Sequence, residues 1–235
     1  MKNRWKDDCN RFVLFLDIMG FKARVQRYDH NDIAKGFKKL TRLNVNVESN
    51  CVPKANPLLQ LVQFSDSILV VSDDTSQDSC MAILKAAVRI MHNGLKCGFP
   101  LKGAIAQGRM TFDIKNGIYF GLPLVDAAVL HDELKFYGVA IHHSMEESLR
   151  KFLSKSENRY LVQYKPIHLK SGKCSHFCVA YHNVSENLSE GDSKNTMNGY
   201  LQRVSRTVSG EPRIYLDNTQ AFFSEDNNLE EVLRQ

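Results

Sequence analysis

The chain contains no apolar stretch long enough to span a bilayer, so no membrane segment is expected. Its opening, Lys2-Asn-Arg-Trp-Lys-Asp-Asp8, is too polar for a signal peptide, and a cytoplasmic protein is expected. No basic run occurs either. The net charge of +5 is spread along the chain, which suits a polyphosphate ligand and argues against nucleic acid as a partner. Internal repeats and low-complexity segments are lacking. The six cysteines, at 9, 51, 80, 97, 174 and 178, are scattered and read as reduced thiols. Cys174-Ser-His176-Phe-Cys178 puts three metal-binding residue types on one face of a strand. Structural zinc takes four protein ligands and no second cluster is present, so a strand with a small half-buried face is the better reading.

The chain does hold enough apolar residues, 43%, for a real core in 235 residues. Its organising stretch is Arg11 to Phe21. Five apolar residues, Phe12–Leu16, run into Asp17, and Gly20 then turns the chain. Such a run reads as a central strand buried on both faces. A carboxylate at its end loses hydration unless a cation or a cluster of donors meets it. Leu58 to Ser72 reads as a second anchor, a tight hairpin with Ser65-Asp66-Ser67 at its tip. Two such carboxylates on neighbouring strands can bridge two divalent ions for in-line attack at phosphorus.

Four segments in order carry a resemblance. They are Phe15-Leu-Asp17-Ile-Met-Gly20-Phe21, Phe64-Ser-Asp66-Ser, Lys102-Gly-Ala-Ile-Ala-Gln-Gly108 and Gly121-Leu-Pro-Leu-Val-Asp-Ala-Ala128. Together they resemble the class III nucleotidyl cyclase catalytic domain over about residues 10–145. Within that class the chain looks most like the stand-alone pyrimidine cyclases of bacterial anti-phage (Pycsar) defence, a likeness that extends to Arg213-Ile-Tyr-Leu-Asp-Asn-Thr219. The resemblance implies catalytic Asp17 and Asp66, with two Mn²⁺ or Mg²⁺ ions held by both carboxylates and the Ile18 carbonyl. It implies phosphate contacts from the Met19-Gly20-Phe21 turn, and Lys102 and Arg109 are candidate phosphate contacts. It further implies a homodimer with active sites shared between chains, and a cyclic product read by a separate effector protein.

The positions where purine cyclases carry polar base readers are Val62 and Ile118 here. The helix positions usually held by Asn and by a transition-state Arg are Val125 and Val129. Apolar walls leave purine edge groups unpaired, which favours CTP or UTP. Two rivals stand beside this reading. One is a purine cyclase with atypical base contacts; the other is an inactive cyclase-like domain that binds nucleotide. A diguanylate cyclase is excluded, because Gln63-Phe-Ser-Asp-Ser67 lacks the Gly-Gly-Asp/Glu-Glu-Phe hairpin.

The fold expected is an α+β (α/β) sandwich with a ferredoxin-like βαββαβ core, an added hairpin and a C-terminal α/β extension. Residues 1–10 read as a polar arm, 11–149 as the catalytic domain and 150–235 as an extension packed on it. Strands are expected at 11–17, either side of Asp66, 101–112, 118–120, 139–141, 159–165 and 175–182. Helices are expected from Lys22 to about Val47 with a break near Asp29–Asn31, and at 78–96, 121–135, 145–153, 195–208 and 216–223, with a polar loop at 184–195.

Overall fold

A computed structural model describes residues 5–41, 58–153, 156–185 and 194–233. The expected helix segment from Arg42 to Val47, the Asn50–Pro57 loop and most of the 184–195 loop lie outside these residues.

The architecture is α+β: a mixed eight-stranded sheet flanked by helices. The centre is β1 (Asp8–Ile18), between β3 (Ser67–Ser72) and β4 (Leu101–Asp113), antiparallel to both. Beyond β3 lies β2 (Leu59–Phe64), and β5 (Ile118–Gly121) hairpins onto the far end of β4. On the other side follow β6 (Val139–Ile141), parallel to β4, then β8 (Gly172–Val179) and β7 (Val162–Leu169) at the edge. The sheet therefore runs without interruption from residues 59–121 into the last third of the chain. Phe12, Val13, Leu14 and Leu16 are fully buried, as a central strand requires.

The two faces of the sheet are covered unequally. One receives α3 (Gln77–Lys96), where Leu84, Val88 and Met91 pack with Leu14, Leu16 and Ile18 of β1 in one cluster. Ser76 caps this helix by accepting from the Ser79 amide. The helices α1 (Phe21–Arg27) and α2 (His30–Leu40) join the same cluster through Phe21, Phe37 and Leu40. So do α5 (Glu146–Leu153), α6 (Lys194–Ser205) and α8 (Leu229–Val232), through Leu149, Leu201 and Leu229, and α7 (Glu211–Ser224), whose Tyr215 and Phe222 meet Lys102 and Lys165 from the opposite face. The other face carries α4 (Leu122–Glu133) and a small second cluster of Val13, Leu69, Val71, Met110 and Phe112. This face leaves Phe64 on β2 and Leu122, Val125 and Val129 on α4 exposed, whereas the register of β5 turns the exposed Ile118 and Phe120 to the opposite face.

Several expected boundaries move. The expected arm is shorter, because β1 begins at Asp8 and Trp5 folds its ring edge against Phe112. The break in the first helix falls at Tyr28–Asp29, where the Asp29 carboxylate accepts from the Asn31 amide and starts α2. The strand expected at 159–165 is β7 at 162–169; residues 157–161 form a 3₁₀ turn. Pro166 is tolerated inside β7 because β7 is an edge strand. The strand expected to reach 182 ends at Val179, and 181–183 form another 3₁₀ turn. The short helix expected near 216–223 is the longer α7.

Candidate active site

Asp17 is the last but one residue of β1. Alternation along the strand sets it on the face of Val13 and Phe15, under α4 rather than α3. In the antiparallel registers it stands opposite Ser67 on β3 and Lys102 on β4. The β2–β3 hairpin turns through Ser65 and Asp66, with Ser65 at φ 54. That turn delivers Asp66 to Asp17: the Ile18 amide donates to the Asp66 carbonyl at 2.9 Å. The two side chains are close enough to interact. Burial, and then the charge of Asp66, push the Asp17 carboxyl above the usual carboxylate range, while His131 and Lys102 pull it down. Gly103 is what lets β4 approach here, since a Cβ on it would stand 2.3 Å from the Phe15 carbonyl oxygen.

Lys102 is buried, at 5% exposure. Its ammonium reaches the Asp132 carbonyl at 3.4 Å and lies 5.8 Å from the centre of the Tyr215 ring. Burial pulls its pKa down, against the pull of Asp132 and Asp17. The sequence reading missed His131, in the last turn of α4, whose ring meets Phe15 edge-on at 4.9 Å between centroids. His131 Nδ1 lies 2.7 Å from the Ala128 carbonyl. A carbonyl only accepts, so Nδ1 carries the proton and Nε2 holds a lone pair. Burial holds the imidazole below its ordinary pKa, which keeps it neutral near pH 7. No local pattern marks this histidine; only the packing of α4 against β1 brings it to Asp17.

The remaining expected contacts divide. Gly20 turns the chain at φ 71, a left-handed conformation that suits glycine. The Met19 amide is committed to the Pro100 carbonyl at 2.9 Å, which corrects its expected place as a phosphate donor. The Phe21 ring stacks on Phe37 in the core, so only its backbone can serve. The Ile18 side chain is buried as well, so only its carbonyl can face a cation. Val62 lies on the Asp17 face. It pairs with Leu69, which pairs with Phe15, about 10 Å away at two strand spacings.

Arg109 and Ile118 are not brought to Asp17 within one chain. Arg109 stands seven residues beyond Lys102 along β4, on the order of 23 Å at the antiparallel strand rise, and pairs with Asp8 at 2.5 Å. Its guanidinium holds the Asp8 carboxyl below the usual range. Ile118 pairs with Asp113, farther along the same strand.

Among the described residues, no group of three or more His, Cys, Asp and Glu side chains is arranged to hold a metal ion. Cys174, His176 and Cys178 share the face of β8 but do not converge as such a group; Cys174 is exposed and Cys178 fully buried. The Asp17–Asp66 pair fits a divalent ion through its donor chemistry. Two neighbouring carboxylates beside a strand-end carbonyl are hard oxygen donors suited to Mg²⁺ or Mn²⁺, and the charge of Asp66 helps raise the Asp17 carboxyl when no cation is between them. Among the described residues no helix is long and apolar enough to cross a membrane. No protein-family model matches the chain, and no curated protein matches it.

Proposed function

We propose that the protein is a pyrimidine nucleotide cyclase, converting CTP or UTP to the 3′,5′-cyclic monophosphate and pyrophosphate. The observation that carries this reading is the pairing of Asp17 with Asp66 where β1 ends, beside a glycine turn. In the reaction the ribose 3′-oxygen forms a bond to the α-phosphorus and the α–β bridging P–O bond breaks. Pyrophosphate leaves with the bridging electrons, and the hydroxyl proton goes to water. Divalent ions bound by Asp17, Asp66 and the Ile18 carbonyl would activate the hydroxyl and neutralise the leaving pyrophosphate. The chain's own residues supply the rest. The Gly20 and Phe21 amides face the phosphates, and Lys102 adds a half-desolvated positive charge beside Asp17.

The strand order β2-β3-β1-β4, reached by strand, helix, hairpin, helix and strand, supports a ferredoxin-like core. The exposed apolar side of α4, with Leu122 at 67%, Val125 at 57% and Val129 at 63% exposure, supports a homodimer whose partner covers it. In such a dimer the partner's Arg109 and Ile118 regions would complete each site. Cyclic CMP or cyclic UMP would then act as a second messenger of antiviral defence, read by a separate effector.

One experiment tests the reaction. The purified protein is incubated with all four nucleoside triphosphates and Mg²⁺ or Mn²⁺, and cyclic products are identified by mass. Each polar base group left unpaired against Val62 and Ile118 costs about 1–3 kcal/mol. Two such losses give a preference of about a hundredfold in kcat/KM for CTP or UTP. Cyclic AMP or cyclic GMP as the main product would return the chain to the purine cyclases. No cyclic product at all would leave a nucleotide-binding domain.

A further inference from the structure

A cleft of about 890 Å³ opens between α1, α2 and α3, against the α3 side of the sheet and away from Asp17. Its charge is one-sided. Arg24, Lys35, Lys39, Arg89 and Lys96 line it, and Asp32 is the one carboxylate among its lining residues. Lys35 is paired with Asp32 at 3.3 Å, so that carboxylate does not offset the charge of Arg24, Lys39 and Arg89. Lys39 and Lys96 both bear on the Cys97 thiol, so their charges meet at the same end of the cleft. The Arg89 Nε is buried and has no hydrogen-bond partner. A desolvated guanidinium nitrogen with no acceptor is costly to hold unless an anion supplies one.

The cleft also has aromatic walls. Phe99 forms its floor, and α2 lies close to it because Gly36 has no side chain; a Cβ there would stand 2.4 Å from the Phe99 ring. The Arg24 guanidinium lies over Phe99 at 4.7 Å and beside Tyr28 at 5.7 Å. Tyr28 itself is 60% exposed, a flat surface at the mouth of the cleft. Clustered cations together with an exposed aromatic face match a phosphate group joined to a planar base.

We infer that this cleft is a second ligand site, which takes a nucleoside phosphate with its phosphates among Lys39, Arg89 and Lys96 and its base on Tyr28. The volume falls in the range of small-molecule sites. The Arg24 guanidinium donates to the Gly98 carbonyl, and the Met19 amide to the Pro100 carbonyl. The cleft wall and the turn after Asp17 thus share the 98–100 segment, so a ligand in the cleft braces that turn from behind.

The test is binding, and it does not depend on the reading of the Asp17 site. ADP and inorganic pyrophosphate are titrated calorimetrically into the full chain in EDTA, which withholds divalent ions from Asp17 and Asp66. ADP is expected to bind at least about tenfold tighter than pyrophosphate, since stacking one base contributes about 1–3 kcal/mol. Lys39→Gln with Arg89→Gln should weaken both ligands at least tenfold. Tyr28→Ala should bring ADP down to pyrophosphate, and Asp66→Asn should change neither. If the double variant loses its native melting transition, the exposed pair Lys35→Gln with Lys39→Gln repeats that arm. The inference is overturned by no binding at millimolar ADP, by unchanged affinity in the lysine and arginine variants, or by loss of binding in Asp66→Asn. Equal affinity for ADP and pyrophosphate overturns the nucleoside assignment.

Discussion

Asp17 and Lys102 are register partners on adjacent antiparallel strands, and Lys102 lies buried between Asp17, the Asp132 carbonyl and the Tyr215 ring. The pair sets a carboxylate and an ammonium side by side at the edge of the core. Lys102→Met keeps the length of the side chain and removes a desolvated charge. The fold should hold, with a melting temperature within a few degrees of wild type. Turnover of the preferred triphosphate should fall about a hundredfold, the scale seen when one charge-stabilising donor is removed. Kinetics alongside thermal melting separate the two effects, and near-normal kcat/KM would remove Lys102 from the site.

The carboxylate pair makes a prediction about pH and metal. Asp17 is raised in the folded protein by burial and by Asp66. A carboxyl raised on folding makes the fold less stable as pH climbs from the unfolded pKa through the folded one. At neutral pH in EDTA that loss is fully present, and Asp17→Asn removes it. The variant should melt above wild type, by about 2–4 °C for each kcal/mol relieved. Mg²⁺ or Mn²⁺ should raise the melting temperature of wild type and not of Asp17→Asn. A variant that melts at or below wild type in EDTA would show that burial beside Asp66 does not strain the charged Asp17.

Catalysis should fail in both single carboxylate variants. Asp17→Asn and Asp66→Asn each remove a ligand while keeping the side-chain shape, so cyclisation should drop at least about a hundredfold with the dimer intact. Residual turnover near the wild-type level in either one would end the two-metal assignment.

Assembly is tested by mixing. Arg109 and Ile118 lie at the opposite end of β4 from Lys102, too far to reach Asp17 in the same chain. An Asp66→Asn chain combined with an Ile118→Trp chain should recover part of the activity, because each heterodimer holds one site with both halves whole. Absence of recovery, once heterodimers are demonstrated by mass, would mean that the sites do not span two chains.

Gly103→Ala is a stability prediction. The new methyl meets the Phe15 carbonyl as well as the side chain and backbone of Leu16, so moving the Leu16 side chain alone does not relieve it. Separating β1 from β4 should cost about 1–3 kcal/mol, read as a lower denaturation midpoint. An unchanged midpoint would show that the two strands slide apart freely.

Much of this fold was legible because its strands advertise themselves. The unbroken run Phe12–Leu16 has one reading, and Ser65-Asp66 between two apolar runs has another. The edges of β7 and β8 were harder. Leu161 and Tyr181 are apolar and fully buried, yet they sit in 3₁₀ turns whose burial comes from packing across the core and not from the sheet. The site was legible in its two carboxylates and less so in its surroundings. His131 has no signature until α4 is laid on β1, and the loss of the Met19 amide follows from Pro100, eighty-one residues away. Arg109 looked near Lys102 because a strand joins them, and the same strand holds them apart.

The central place of β1 carries a consequence for how the chain is made. Val13 pairs with Val71 and with Ala106, residues synthesised fifty-eight and ninety-three positions later. At a ribosomal rate of about 5–20 residues per second, the central strand of the sheet waits on the order of 5–20 s for its second partner. Until Val71 is made, both hydrogen-bonding edges of Phe12–Leu16 are open to any other nascent strand, and until Ala106 is made one of them still is. The strand that presents Asp17 is therefore left with an open edge until β4 has been made.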